Sequence, residues 1–208
     1  FGDVVVLKEF NEVFNDKEFI TLLGPSGCGK SSLLHLLAGL QQPNSGQVLY
    51  QNQLLQKPHG EISVILQEYG LFPWKTVEQN IALPLLLQKR SKAERQQRTV
   101  QMMEQLQLAE HRKKYPAQLS GGQRQRLSIA RALVKKAEVL ILDDSSSALD
   151  YATEAKLRAA LAALSGQMTL FVISQRASAV MHANKILVLD NGELVGVGTH
   201  ESFLRGCA

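Results

Sequence analysis

Apolar residues in this chain fall into two kinds of run, and the two alternate. Phe19 to Leu23 and Ile62 to Leu66 are apolar runs that read as strands, and Val139 to Leu142 and Met168 to Ile173 are continuous runs with the pattern of buried strands, the first of them parallel. Between them the spacing changes to that of helices. One is predicted from Lys30 to about Leu40, ended by Gln42-Pro43-Asn44-Ser45-Gly46, and others over Val77 to Leu87, Ser91 to Leu108, Arg124 to Val134 and Tyr151 to Leu164. Val100, Met103 and Leu106 fall on one face of the third, and Leu127, Ala130, Arg131 and Val134 on one face of the fourth. Val4 to Leu7 and Gln47 to Tyr50 read as short strands. The turn-rich Asn15-Asp16-Lys17-Glu18 predicts a hairpin into Phe19, and Asn191-Gly192 joins a last strand pair, Lys185 to Leu189 and Glu193 to Val197. The whole predicts an α/β core with an antiparallel β portion and an inserted helical subdomain at about 70–135, in one domain over 1–208. The chain's start reads as truncated.

Chemistry concentrates where the Phe19 run meets its helix, at Gly24-Pro25-Ser26-Gly27-Cys28-Gly29-Lys30-Ser31-Ser32. Glycines let successive backbone N–H groups turn toward one centre, and the helix that follows adds its positive end there. Lys30 is placed to reach the outer phosphates of a polyphosphate, and the Ser31 hydroxyl to bind the Mg²⁺ that bridges them. Strand, G-x-x-x-x-G-K-S and helix together predict a P-loop, with Ser26, Gly27, Cys28, Gly29, Lys30, Ser31 and Ser32 around the nucleotide. The run Val139 to Leu142 delivers Asp143 and Asp144 at its C-terminal end, which puts Asp143 beside the same Mg²⁺.

A second glycine turn, Leu119-Ser120-Gly121-Gly122-Gln123, opens the helix that begins near Arg124. Ser120 is suited to cap it, and the glycines leave its positive end open to an anion. Taken alone, such a turn is more often simply a cap. Gln67 to Trp74 is a loop rich in aromatics between Gly and Pro, the kind that carries function. The basic run His111-Arg112-Lys113-Lys114 reads as a solvated face, and His35 among leucines as a structural residue.

Composition narrows the setting. The net charge of +4 comes from Lys and Arg scattered along the chain, which gives no footprint for nucleic acid. The two cysteines, Cys28 and Cys207, suggest neither a disulfide nor a metal site and fit a reducing, cytoplasmic compartment. Leu83 to Leu87 is far too short to span a bilayer, so a role at a membrane has to come through a partner.

Together and in this order, the motifs resemble the ATP-binding subunit of ABC transporters over essentially the whole chain. Gly24 to Ser31 is similar to the family's Walker A loop, Gln67 to its Q-loop glutamine, Leu119 to Gln123 to its LSGGQ signature, Val139 to Asp143 to its Walker B strand, and Ser147-Ala148-Leu149-Asp150 to its D-loop. Phe1 stands where the family has the aromatic that stacks on adenine. The resemblance implies MgATP as ligand and its hydrolysis as the reaction. Two such domains would pair head to tail, with Ser120, Gly121, Gly122 and Gln123 of one closing on the ATP held by the other. It implies that Gln67 contacts Mg²⁺ or the attacking water, and that the Gln67 to Trp74 region meets transmembrane permease subunits at the cytoplasmic face of a membrane.

Two positions depart from the family. Asp144 stands where a glutamate usually polarises the attacking water, and Gln175 where a histidine usually contacts the γ-phosphate. A carboxylate one methylene shorter, misplaced by about 1 Å, can cost on the order of 100-fold in rate. Slow hydrolysis is therefore expected, with a degenerate, nucleotide-gated dimerisation module as the alternative. The part before about Lys135 resembles importer subunits of the nitrate, sulfonate and taurine type, and the part from Val139 resembles exporters. A P-loop kinase would leave Leu119 to Gln123 unexplained.

Overall fold

The computed structural model describes residues 5–65, 69–143, 166–173, 180–181 and 183–205. By their contacts these residues fall into two compact units, one within Phe1–Val64, Glu138–Asp144 and Leu161–Ala208, the other within Ile65–Ala137.

The first unit is built on a six-stranded sheet. Its strands are β1 (Phe19–Leu23), β4 (Ile62–Ile65), β5 (Val139–Leu142), β6 (Thr169–Ile173), β7 (Lys185–Asp190) and β8 (Glu193–Gly198), in the order β4-β5-β6-β1-β7-β8. β5, β6, β1 and β7 run parallel, and β8 returns antiparallel to β7. Four residues of β1 and four of β6 are buried, as a strand covered on both faces requires. Ile20 and Leu22 lie at the centre of a core that also takes in Leu33 and Leu34 of helix α1 (Lys30–Leu37), Ile141, Phe171, Ile173, Leu187 and Leu189. Each such side chain, fully buried, contributes about 1.5–3 kcal/mol.

The expected hairpin before β1 does not form. Residues 5–18 contain no strand, and β1 instead takes parallel partners on both sides, β6 and β7. Lys17 turns at φ 62°, and the Glu18 carboxylate folds back to accept from the Asn15 backbone N–H (2.9 Å) and the Asn15 side-chain amide (2.7 Å). The tetrapeptide is thus a self-bonded turn at the entrance of a central strand. The first helix is also shorter than expected. It stops at Leu37 because Gly39, at φ 69°, bonds to the Leu36 carbonyl while Leu40 bonds to that of His35, the paired bonds of a Schellman stop. A side chain on Gly39 would strike the Lys57 carbonyl, so the stop is built in.

β2 (Leu49–Tyr50) and β3 (Gln53–Leu54) make a small antiparallel hairpin whose turn residues, Gln51 and Asn52, both have positive φ. β3 was not expected, because Gln-Asn is a weaker turn signal than the Asn191-Gly192 pair that joins β7 to β8. The Tyr50 hydroxyl donates to Glu138, which also accepts from Gln51 Nε2 at 2.8 Å. Helix α5 (His200–Arg205) closes the described chain, set against Gly196 and Gly198 of β8, where any larger residue would meet Phe203 or Ser202. The expected helix over Tyr151 to Leu164 lies outside the described residues.

The second unit is helical: α2 (Val77–Leu87), α3 (Lys92–Gln105) and α4 (Gly121–Leu133), with short 3₁₀ turns at Ala109–His111 and Pro116–Gln118. Thr76, Ser91 and Ser120 cap the three helices with their side-chain oxygens. Val77, Ile81, Leu85, Met103, Leu108, Leu127, Ala130 and Val134 form its core. Among the described residues no helix is long and apolar enough to cross a membrane.

Desolvation, then the hydrogen bond to Glu138 and the negative charge of Glu138, Glu61 and Asp16, push the Tyr50 phenol well above its ordinary value. The unfolded chain releases this proton near pH 10 and the folded chain only higher, so the stabilisation is complete below about pH 10 and is lost as pH climbs through the folded value. Tyr50→Phe should therefore flatten the alkaline fall of unfolding free energy measured in denaturant between about pH 9 and 12. An unchanged slope would show that the bond does not hold in solution.

Candidate functional site: a phosphate loop and a capped glycine turn

In the first unit, β1 ends at Leu23 and the chain coils through Gly24, Gly27 and Gly29, all at positive φ, into α1. The coil cannot be loosened cheaply. A Cβ on Gly24 would collide with the Leu189 carbonyl, and one on Gly29 would lie 2.8 Å from the Val6 carbonyl. Lys30 opens the helix and is buried, with its ammonium turned back to donate to the carbonyls of Gly24 (2.9 Å) and Pro25 (2.6 Å) and lying 3.5 Å from Cys28 Sγ. Among the described residues no carboxylate comes within ion-pair distance of it. A desolvated cation held only by neutral oxygens suits an anionic ligand at the same place.

Ser31 follows, exposed, and its hydroxyl donates to Asp143 Oδ1 at 3.1 Å. Asp143 comes directly after β5, two strands along the sheet from β1, so the C-terminal ends of parallel strands bring the two oxygens together. A hydroxyl and a carboxylate are hard oxygen donors of the kind Mg²⁺ takes alongside phosphate oxygens, and the residues present fit that ion. Ser26, Gly27, Cys28, Gly29 and Ser32 surround Lys30 and Ser31 in the same coil and first turn.

The second unit carries the other glycine turn. Ser120 Oγ accepts from the Gln123 backbone N–H (3.3 Å) while Gln123 Oε1 accepts from the Ser120 N–H (2.9 Å), a reciprocal capping box that leaves Gly121 and Gly122 at the open end of α4. α4 starts three residues earlier than expected because Ser120 supplies this cap. Phe1, Gln67, Asp144 and Gln175, which complete the expected set, lie outside the described residues.

Three side chains that sequence reasoning did not assign shape this unit. Asn80, fully buried, donates through Nδ2 to the carbonyls of Phe72, Lys75 and Thr76 and accepts from the Phe72 N–H, so one amide fixes the loop before α2. Arg131 donates to the carbonyls of Gly70 (2.6 Å) and Tyr69 (3.1 Å) and lies over the Phe72 ring at 5.6 Å. Burial lowers its pKa from the ordinary guanidinium value. The available signal was a cation on an apolar helix face, which needs carbonyl partners. His111 is the third: its ring comes within 2.8 Å of Gln123 Nε2, while Arg112, Lys113 and Lys114 are exposed and Arg112 pairs with Glu78, so the basic run is a solvated face except at His111. Trp74 packs edge-on against Phe72 and remains 69% exposed.

A parallel sheet delivering a glycine coil into a helix, with a lysine, a serine and an aspartate gathered there, defines a P-loop nucleotide-binding domain. The profile of the family described as ABC transporter matches residues 7–147, and the chain belongs to that family as an ATP-binding domain. It is 38% identical to the spermidine/putrescine import ATP-binding protein PotA of Aggregatibacter actinomycetemcomitans, over 96% of this chain and 55% of that one. It is 40% identical to PotA of Thermotoga maritima, over 96% of this chain and 56% of that one. Against the trehalose/maltose import ATP-binding protein MalK of Thermococcus litoralis it is 37% identical, over 96% and 57%. The chain thus spans little more than half the length of these relatives. Its fold matches that of the dimeric ATP-binding cassette MJ0796 in a post-hydrolysis state bound to ADP and Pi, with a TM-score of 0.87 at 29% identity, over 96% of this chain and 93% of that one. Nothing in these likenesses supports the degenerate-module alternative.

Replacing Arg131 by Lys should cost about 1–3 kcal/mol, because a single ammonium cannot reproduce the fork onto two carbonyls. Denaturant unfolding measures the loss, and hydrogen exchange should quicken locally at residues 69–72. Unchanged exchange there would mean the guanidinium does not hold the loop.

Proposed function

We propose that this chain is the nucleotide-binding engine of an ABC importer, binding MgATP in the Gly24–Ser32 coil and hydrolysing it to ADP and phosphate. The observation that carries the reading is the meeting of the buried Lys30 ammonium, the Ser31 hydroxyl and Asp143 at the C-terminal ends of parallel strands. Lys30 would exchange its carbonyl partners for phosphate oxygens and stabilise the charge that develops on the outer phosphate. Ser31, Asp143 and, from the family resemblance, Gln67 would hold Mg²⁺, which supplies charge neutralisation between the phosphates. Asp144 would orient the attacking water and accept its proton. Gln175 would donate an amide hydrogen bond to the γ-phosphate without a positive charge of its own. Phe1 would stack on the adenine.

The capping box at Ser120 supports a second phosphate-facing surface on the same chain, used on the nucleotide of a second nucleotide-binding domain, identical or different. Head-to-tail pairing uses both surfaces of each chain. We place the helical subdomain within about 70–135, inserted in a single 1–208 domain. The Phe72–Trp74 pair, with Trp74 exposed, would meet the transmembrane permease subunits, which gives the chain a peripheral station at the cytoplasmic face. Import is favoured by relatives named for spermidine/putrescine and trehalose/maltose uptake. Those two cargoes differ while the cassettes are alike, so cargo choice belongs to the membrane subunits.

Two measurements test this. Lys30→Ala should abolish binding of a fluorescent ATP analogue; retained binding would refute the assigned pocket. The unaltered chain should hydrolyse MgATP slowly, and Asp144→Glu with Gln175→His should raise turnover about tenfold or more, since each restores the group better placed for its step. Brisk turnover by the unaltered chain, or none gained by the double variant, would remove the roles given to Asp144 and Gln175.

A further inference from the structure

The capping glutamine of α4 is held at both ends, and the second anchor comes from outside the helix. Gln123 Oε1 is committed to the Ser120 backbone N–H at 2.9 Å, so the group it presents to His111 is its NH₂. That nitrogen lies 2.8 Å from His111 Nε2. An NH₂ can only donate, so His111 Nε2 must carry the lone pair and Nδ1 the hydrogen. His111 Nδ1 is buried and has no hydrogen-bond partner among the described residues. The ring therefore keeps the tautomer that serves Gln123 while its other nitrogen gains nothing from it. Another capping box among the described residues does without such an anchor. Gln79 makes the same capping box with Thr76, at 3.0 and 3.3 Å, and its amide nitrogen has no second partner among the described residues. Gln79 caps a helix that begins with Val77, Gln123 one that begins with two glycines. Gly121 and Gly122 have no side chains to restrain the first turn, so its backbone direction depends on the two Ser120–Gln123 bonds.

We propose that His111 is a positioning residue: by accepting from the Gln123 amide it locks the capping box, and so presets the Ser120–Gly122 turn to receive a phosphate presented by a second nucleotide-binding domain. The inference rests on the paired-domain reading above and adds to it a residue twelve positions before Gln123 in the chain. His111 touches no nucleotide. It acts through Gln123 alone, and its effect falls on closure rather than on the chain's own P-loop.

The test uses the full chain with His111→Leu, which removes the acceptor, and His111→Gln, which replaces it. Three quantities are measured: affinity for a fluorescent ATP analogue, ATP-dependent dimerisation by light scattering, and MgATP turnover. His111→Leu should leave nucleotide affinity unchanged while lowering dimerisation and turnover about tenfold, the effect of one lost positioning bond. His111→Gln should return both to within about twofold, and in a Gln123→Ala background His111→Leu should do nothing further. The inference is overturned if His111→Leu matches the unaltered chain, if His111→Gln is as poor as His111→Leu, or if the losses at His111 and Gln123 simply add. Should His111→Leu not fold, His111→Gln is compared with His111→Lys, which offers only donors; equal dimerisation then overturns it. A chain that binds no nucleotide, or binds it without dimerising or turning over, removes the functional reading and this inference with it. Binding and closure that ignore His111 remove the inference alone.

Discussion

A buried ammonium is the constraint around which the first unit is arranged. Lys30 has little access to water, and its stabilisation comes from carbonyls that only a tightly coiled loop can aim at it. The coil has to be anchored at both ends. β1 anchors one end by pairing with parallel strands on both sides, and α1 anchors the other by burying Leu33 and Leu34 in the same core as Ile20 and Leu22. The coil is also walled in. Gly24 passes against the Leu189 carbonyl and Gly29 against that of Val6, so strand β7 and the chain near residue 6 hold the loop from outside. The sheet order then decides what else reaches the site, since β5 ends where Asp143 meets Ser31.

In the helical unit the same physics works through neutral groups and a guanidinium. Its loops carry backbone carbonyls and N–H groups that the helices cannot satisfy, and single side chains from the helices meet several at once. Asn80 serves Phe72, Lys75 and Thr76, and Arg131 serves Tyr69 and Gly70. Arg131 projects from the helix that the Ser120 turn begins, so the segment after Gln67 and the glycine turn share one rigid element.

Strand and helix types were legible where apolar periodicity was strong: β1, β5, β6, α2, α3 and α4 stand where the pattern put them, within a few residues. The P-loop was legible because its glycines, lysine and serine are close in sequence and each has a separate physical reason to be there. What escaped were features set by distant partners. Nothing in Asn15 to Glu18 says that β1 will prefer β6 and β7 to a hairpin, because that choice is made by strands about 150 residues further along. The shortness of α1 depends on Lys57 facing Gly39. Asn80, Arg131 and His111 look like ordinary helix and loop residues until their partners are in place. Each is a polar group whose burial, not its identity, marks it.

The self-bonded lysine also gives the loop a threshold. Any anion that takes Lys30 must displace two carbonyl oxygens already within 3 Å of its ammonium, in a coil held closely at Gly24 and Gly29. A small monoanion brings one charge to that exchange and forfeits its own hydration, so it gains little over the carbonyls it replaces. A polyphosphate would spread several charges along the coil and meet backbone N–H groups and the end of α1 as well as the ammonium, which would tip the exchange in its favour. Such an arrangement would favour a ligand of several charges over a small monoanion, whatever the shape of either.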